Sequence, residues 1–193
     1  MKVGLFFGSF NPVHNGHLAI TQFLKQQAFF DRIWVVVSPN NPLKKHDELA
    51  DEQDRLNMVK LAIRDFPYLH VCDVEFSLPK PSYTIETLYC LKEQYPGYDF
   101  SLILGADNME NFHKWKKYEE ILEQYMIYVY PRSSAALEKV IEHPHIINMD
   151  APLFPVSATK IRSLLQQKKP IKKYLPTSVI KYIEENHLYP IPH

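Results

Sequence analysis

Short apolar runs alternate along this chain with segments of helical periodicity, and this alternation restricts the possible folds more than any other feature. Residues 33–37 contain no polar side chain, which is typical of a strand covered on both faces. Strands are predicted at 3–7, 32–38, 69–76, 100–104, 126–130 and 146–149, and helices at 16–29, 51–66, 84–94, 118–124, 133–142, 157–167 and 177–186. The pattern predicts an α/β fold with a doubly wound parallel sheet.

Length and composition are those of an ordinary globular protein. The 193 residues contain no repeat or linker, so we predict a single domain over 1–193 with a helical portion at about 157–187. The formal net charge is zero, which gives no overall electrostatic reason to bind nucleic acid or a membrane surface. The sequence has two cysteines, no signal-peptide pattern and no membrane-spanning apolar run. We therefore expect reduced thiols and a cytoplasmic protein.

The segment 8–17, Gly-Ser-Phe-Asn-Pro-Val-His-Asn-Gly-His, joins the first predicted strand to the first predicted helix. Gly8 and Gly16 lack a Cβ, so their backbone could approach a ligand closely. The N–H groups of the first helical turn favour an anion, and His14 and His17 would flank that anion. In a doubly wound sheet this turn lies at the carboxyl ends of the strands, where ligands bind. The segment therefore predicts a phosphate site suited to nucleotide chemistry.

Two further segments contain candidate site residues. Residues 82–84, Ser-Tyr-Thr, precede the third predicted helix, and ordinary helix capping by Ser or Thr explains them. Gly105 ends a buried strand and permits close approach of a ligand, while Asp107 offers a carboxylate for a hydroxyl or a hydrated metal ion. Trp115 offers a flat face for stacking a ring. A turn glycine, an Asx-type cap and a packing tryptophan would explain Gly105, Asp107 and Trp115 separately, but their order at a ligand-facing edge indicates a second part of the ligand site.

The start of the penultimate helix could bind a second phosphate. Ser157 and Thr159 supply hydroxyls there and Arg162 supplies a guanidinium, although an N-cap followed by a surface basic residue would explain them too. Two anion sites far apart in sequence are what a triphosphate needs, and we expect them to converge on one cavity. Lys44 and Arg132 lie in loops after the second and fifth predicted strands, at the same ligand-facing edge.

These segments resemble, in order, four motifs of the bacterial nicotinate-nucleotide adenylyltransferases, which belong to the nucleotidyltransferase superfamily with the H-x-G-H motif. The matching segments are residues 8–17, the S-Y-T-x-x-T pattern at 82–87, G-A-D-N followed by Trp115, and V-S-A-T-K-I-R at 156–162. The resemblance implies a Rossmann-like nucleotidyltransferase fold. The family's P-P-H-K loop reads N-P-L-K here, so the histidine is absent and the contacts of the 39–48 loop stay open.

The resemblance also implies a reaction, namely direct displacement by nicotinate mononucleotide at the α-phosphate of ATP, giving nicotinate adenine dinucleotide and pyrophosphate. Its implied catalytic residues are His17, for the α-phosphate, and His14, for the β- and γ-phosphates. The implied ATP-binding residues are Gly8, Ser9, Phe10, Gly16, Gly105, Asp107, Ser157, Thr159 and Arg162. The implied nicotinate mononucleotide-binding residues are Lys44, Tyr83, Thr84, Trp115 and Arg132. Mg²⁺ is expected mainly on the ATP phosphates, without an all-protein metal site.

Other functions remain open from the sequence. The acceptor could be nicotinamide mononucleotide, although a helix start suits a carboxylate better than a carboxamide. Pantetheine-phosphate adenylyltransferases and cytidylyltransferases share the first motif, but the former do not explain residues 82–87 or Trp115. An aminoacyl-tRNA synthetase would need a tRNA-binding region and a K-M-S-K-S loop, which the sequence lacks. A non-catalytic ATP sensor is the alternative from another class, and the oligomeric state stays open.

Overall fold

The computed structural model describes residues 1–40, 49–131 and 142–189. Six strands in these ranges form one parallel sheet in the order β3-β2-β1-β4-β5-β6. The strands are β1 Lys2–Gly8, β2 Arg32–Val37, β3 Leu69–Cys72, β4 Asp99–Gly105, β5 Ile127–Tyr130 and β6 Ile146–Asn148. The order reverses between β1 and β4, as the predicted doubly wound sheet requires.

Seven α-helices flank this sheet in the described ranges. They are α1 Asn15–Gln26, α2 Glu52–Ile63, α3 Thr84–Gln94, α4 Ala106–Met109, α5 Tyr118–Gln124, α6 Ala158–Gln166 and α7 Thr177–Glu185. Two short 3₁₀ helices lie at Val74–Phe76 and Phe112–Lys114. None of these helices combines the length and apolar character needed to cross a lipid bilayer.

Both faces of the sheet are covered, which explains why its central strands are apolar throughout. Phe6 packs into the core beneath α1, α2, α6 and α7, whereas its neighbour Leu5 packs into the core beneath α3, α4 and α5. In β2, Val35 packs into the first of these two cores and Trp34 packs into the second. Successive side chains of a strand point to opposite faces, so a strand between two helical layers needs apolar residues at every position.

A buried arginine ties the carboxyl ends of β1 and β2 to the start of α2. Arg55 is 1% exposed. Its Nε donates to the carbonyl of Ala50 at 3.0 Å, one terminal nitrogen donates to Ser9 at 2.8 Å and Ser38 at 2.7 Å, and the other donates to Pro39 at 2.8 Å. Burial lowers the pKa of the Arg55 guanidinium. The four carbonyls stabilise this buried cation and hold the two loops together.

Several predicted bounds are confirmed and a few are wrong. The helices predicted at 84–94 and 118–124 have those bounds. The strand predicted at 69–76 stops at Cys72, because the chain turns into the 3₁₀ helix that follows, and α1 ends at Gln26 rather than 29. Most of the helix predicted at 133–142 lies outside the described residues. The assignment of 1–193 to one domain stays a prediction.

We predict that Arg55→Met lowers the free energy of unfolding by about 3 kcal/mol or more, because four carbonyls lose a charged donor inside the protein. Urea denaturation followed by tryptophan fluorescence measures this change. Lys60→Met is the matched control, since Lys60 is exposed on the same helix, and its effect should stay within about 0.5 kcal/mol. Equal midpoints for the two variants would contradict the role given to Arg55.

Candidate active site

A cavity of about 690 Å³ opens at the carboxyl ends of β1 and β4, at the point where the strand order reverses. Twelve of the sixteen predicted site residues line it: Gly8, Ser9, Phe10, His14, His17, Tyr83, Thr84, Asp107, Trp115, Ser157, Thr159 and Arg162. Gly105 and Gly16 are not part of this lining. Lys44 and Arg132 lie outside the described residues. Parallel α/β sheets bind ligands at such a position.

The two histidines of the first motif form a stacked pair at the start of α1. His14 is the N-cap residue and is 5% exposed, and its ring lies 3.6 Å from that of His17, centroid to centroid. The backbone N–H of His14 donates to Nδ1 of His17 at 3.2 Å. Nδ1 of His17 is therefore an acceptor, so the proton of the neutral ring lies on Nε2. Phe6 and Phe10 pack edge-on against the His17 ring, at 5.9 and 5.0 Å, which fixes its orientation.

The two glycines of this motif leave no room for a Cβ. A Cβ on Gly8 would lie 2.9 Å from the ring of Phe10, and a Cβ on Gly16 would lie 2.5 Å from Cγ1 of Val156. Both positions therefore make room for neighbouring side chains, and the close approach of a ligand to them stays a prediction. Gly16 lines a second cavity of about 250 Å³, which adjoins the first at His14.

The second phosphate motif meets the first through a direct hydrogen bond. Ser157 is the N-cap of α6, and its Oγ accepts a hydrogen bond from the N–H of Lys160 at 3.2 Å. A terminal nitrogen of Arg162 donates to the carbonyl of Asn11 at 3.0 Å, across 151 residues of sequence. Arg162 and His17 line the same cavity. The expected convergence of the two segments is therefore confirmed, while their roles toward ATP stay predictions.

The other end of the cavity combines an aromatic surface with an uncapped helix start. Tyr83 is the N-cap of α3, and neither Ser82 nor Thr84 supplies a side-chain cap, so the capping interpretation of this segment is wrong. Trp115 is half-buried against Phe112, with ring centroids 5.4 Å apart. Tyr83 and Thr84, at this helix start, line the same cavity as the indole, and the first N–H groups of a helix have no acceptor within the helix.

The sequence did not reveal several residues that shape this site. Tyr189 reaches back from the end of α7, and its hydroxyl donates to Oδ1 of Asn11 at 2.8 Å. Burial raises the pKa of Tyr189. Glu75 lines the cavity although it is 1% exposed, and Lys114 and Lys116 line it beside the indole. The lysines flank the tryptophan in sequence, which was an available signal, whereas Glu75 and Tyr189 are placed by contacts with distant residues.

Comparison with known proteins identifies the family. A sequence model described as cytidylyltransferase-like matches residues 5–164. A relative from Flavobacterium johnsoniae is 49% identical over 191 residues, which cover 98% of this chain and 99% of the relative. A relative from Bacteroides fragilis is 42% identical over 182 residues, covering 94% and 90% of the two chains. Both carry the name "probable nicotinate-nucleotide adenylyltransferase". The chain belongs to this family.

The fold of this chain also matches a solved structure. Nicotinic acid mononucleotide adenylyltransferase from Plasmodium falciparum, complexed with NaAD, aligns with a TM-score of 0.79 at 22% identity. The alignment covers 99% of this chain and 98% of that chain. At this identity the likeness concerns the fold, and it confirms the nucleotidyltransferase architecture predicted from the motifs.

We predict that Gly16→Ala lowers the free energy of unfolding by about 1 kcal/mol or more, because the new methyl group collides with Val156. Thermal or urea denaturation measures the loss. Gly97→Ala is the control, since a Cβ there meets nothing within 4 Å. The double variant Gly16→Ala/Val156→Ala should recover a large part of the loss, and an unaltered stability of the single variant would refute this packing.

Proposed function

We propose that this chain transfers the adenylyl group of ATP to nicotinate mononucleotide, a step of NAD synthesis. A phosphate oxygen of the mononucleotide attacks the α-phosphorus, and the bond from that phosphorus to the oxygen bridging to the β-phosphate breaks. The products are nicotinate adenine dinucleotide and pyrophosphate. One observation carries the proposal: the two segments predicted to bind phosphate and an aromatic surface beside a helix start line a single cavity. The names of relatives at 42–49% identity support the same reaction.

In this mechanism the protein aligns the reactants and stabilises charge. The attacking phosphate is largely ionised near neutral pH, so no side chain has to remove a proton from it. His17 donates from Nε2 to the α-phosphate, in the orientation set by its bond to His14. His14 interacts with the β- and γ-phosphates, and Ser157, Thr159 and Arg162 hold the departing pyrophosphate. Positioning and electrostatic stabilisation account for most of the rate in reactions of this class.

The acceptor binds at the α3 end of the cavity in this proposal. Its pyridine ring stacks on Trp115, and its carboxylate receives hydrogen bonds from the first N–H groups of α3, at Tyr83 and Thr84. A carboxamide fits this place less well, because its N–H₂ group would face donors rather than acceptors. Lys44 and Arg132 also belong to the proposed acceptor site, in the parts of the chain that the structure does not describe.

The residues of the cavity fit an Mg²⁺ ion held mainly by ATP phosphates. Asp107 is an exposed carboxylate in the lining, and one carboxylate combined with phosphate oxygens is a common environment for Mg²⁺. When bound, the ion would neutralise charge on the phosphate oxygens. We place the reaction in the cytoplasm, where both substrates would be soluble small molecules.

Pyrophosphate release measured with ATP and each of three acceptors tests the proposal. We expect nicotinate mononucleotide to react fastest, nicotinamide mononucleotide more slowly, and phosphopantetheine not at all. Equal or faster turnover of the amide would contradict the assignment of the acceptor site. ATP binding without pyrophosphate release with any acceptor would instead favour a nucleotide sensor.

We predict that His17→Ala lowers kcat by about two orders of magnitude or more, because the transition state loses a donor that stabilises its charge. Steady-state kinetics with saturating ATP and nicotinate mononucleotide measures the effect. His70→Ala is the control, since His70 is exposed on β3 and does not line the cavity. A fully active His17→Ala variant would rule out the proposed role.

A further inference from the structure

The α3 end of the larger cavity contains a buried carboxyl group that the proposed mechanism does not use. Glu75 lies in the 3₁₀ helix Val74–Phe76 and lines the cavity. Its Oε1 accepts a hydrogen bond of 2.8 Å from Oγ1 of Thr87, and both residues are almost fully buried. The hydroxyls of Ser38 and Ser82 face the same carboxyl, although neither gives Oε2 a well-aligned hydrogen bond. This cluster connects the end of β2, the 3₁₀ helix and α3.

Thr87 connects Glu75 to the uncapped start of α3. The N–H groups of Glu86 and Thr87 donate to the carbonyl of Tyr83 at 3.0 and 3.2 Å. The Thr87 hydroxyl also lies 3.3 Å from that carbonyl. Because no side chain caps the helix, contacts of this kind are what fix the direction of its first N–H groups. A change at Thr87 or Glu75 therefore alters the direction of these donors without removing any of them.

The charge of Glu75 affects how well the start of α3 can bind the carboxylate of a ligand. Burial raises the pKa of the Glu75 carboxyl, against the opposing effect of the Thr87, Ser38 and Ser82 hydroxyls. A full negative charge behind a helix start would compete with a ligand's carboxylate for the positive end of the helix. A carboxyl group that is harder to ionise leaves this end available to the ligand.

We propose that Glu75 and Thr87 are positioning residues that aim the first N–H groups of α3 into the cavity and thereby select an acceptor with a ring carboxylate over one with a carboxamide. This inference rests on the proposed function. Neither side chain has to touch the acceptor, because both act through the backbone of α3. The pair also explains why a threonine stands three residues after Thr84 in the S-Y-T-x-x-T segment.

Thr87→Val tests the pair with little change in volume. The ratio of kcat/KM for nicotinate mononucleotide to that for nicotinamide mononucleotide should fall about tenfold, which corresponds to the loss of one hydrogen bond to a charged group. The KM for ATP should change little, whereas the unfolding midpoint should fall, because the buried Glu75 carboxyl loses its hydrogen-bond donor. Thr21→Val is the matched control, because Thr21 is buried in α1, donates to the carbonyl of Leu18 at 2.8 Å and does not line the cavity. Its ratio should equal that of the wild type.

Substitutions of Glu75 separate its hydrogen bond from its charge. Glu75→Gln keeps an oxygen acceptor for Thr87, so the acceptor ratio should stay within about twofold of the wild type. Glu75→Leu removes the acceptor and should lower the ratio as Thr87→Val does, and the double variant should lower it no further. If Glu75→Leu does not fold, the acceptor ratios of Thr87→Val and Glu75→Gln still test the inference. An unchanged ratio in Thr87→Val, or an equal loss for both acceptors, would overturn the inference.

Binding measurements distinguish failure of this inference from failure of the proposed function. Calorimetry gives the dissociation constants of the two mononucleotides for the wild type and for Thr87→Val without any turnover. If the wild type prefers the nicotinate form but releases no pyrophosphate, the proposed reaction is wrong and the ratio of dissociation constants still tests the pair. If the wild type binds both forms equally, the pair selects nothing and the inference is wrong.

Discussion

The hydrogen bonds of the buried Arg55 guanidinium are the interaction on which the geometry of the site depends. They join the loop after β1, the loop after β2 and the start of α2. The first of these loops leads directly into the segment that carries both histidines. Neighbouring parallel strands align their carboxyl ends only approximately, so a rigid connection between the loops is needed before side chains can converge on one ligand. The buried cation supplies this connection through its four hydrogen bonds to backbone carbonyls.

Much of the architecture could be predicted because the relevant signals are local. Apolar runs and helical periodicity report burial residue by residue, so α3 and α5 were placed with their observed bounds. The edge of the sheet that holds the cavity followed from the parallel order alone. The site residues came instead from motif resemblance, and those that the structure describes mostly line the cavity, with Gly16 and Gly105 as exceptions.

The rest depends on contacts between residues far apart in sequence. Arg55 and Glu75 are charged residues within segments otherwise assigned to a helix and a strand, and charge at such positions ordinarily indicates exposure to solvent. Loop carbonyls, such as those of Ser9 and Ser38, stabilise the buried Arg55 guanidinium, and the Thr87 hydroxyl of α3 donates to the buried Glu75 carboxyl. Tyr89 lies within the segment predicted as a helix at 84–94 and is 39% exposed, and its hydroxyl donates to Glu120. The spacing of apolar residues along a helix does not distinguish a tyrosine ring, which carries a polar hydroxyl, from a purely apolar ring.

The partners of Asn11 determine when, during synthesis, the histidine loop can reach its final geometry. Its carbonyl accepts from Arg162 and its side chain accepts from Tyr189. Translation produces the histidine loop first and these two partners 151 and 178 residues after Asn11. A nascent chain that has left the ribosome only as far as β5 therefore presents an unfinished loop, and closing it requires the entropy cost of a very long connection. We therefore expect the histidine loop to reach its final geometry only after α6 and the segment that follows α7 have been synthesised.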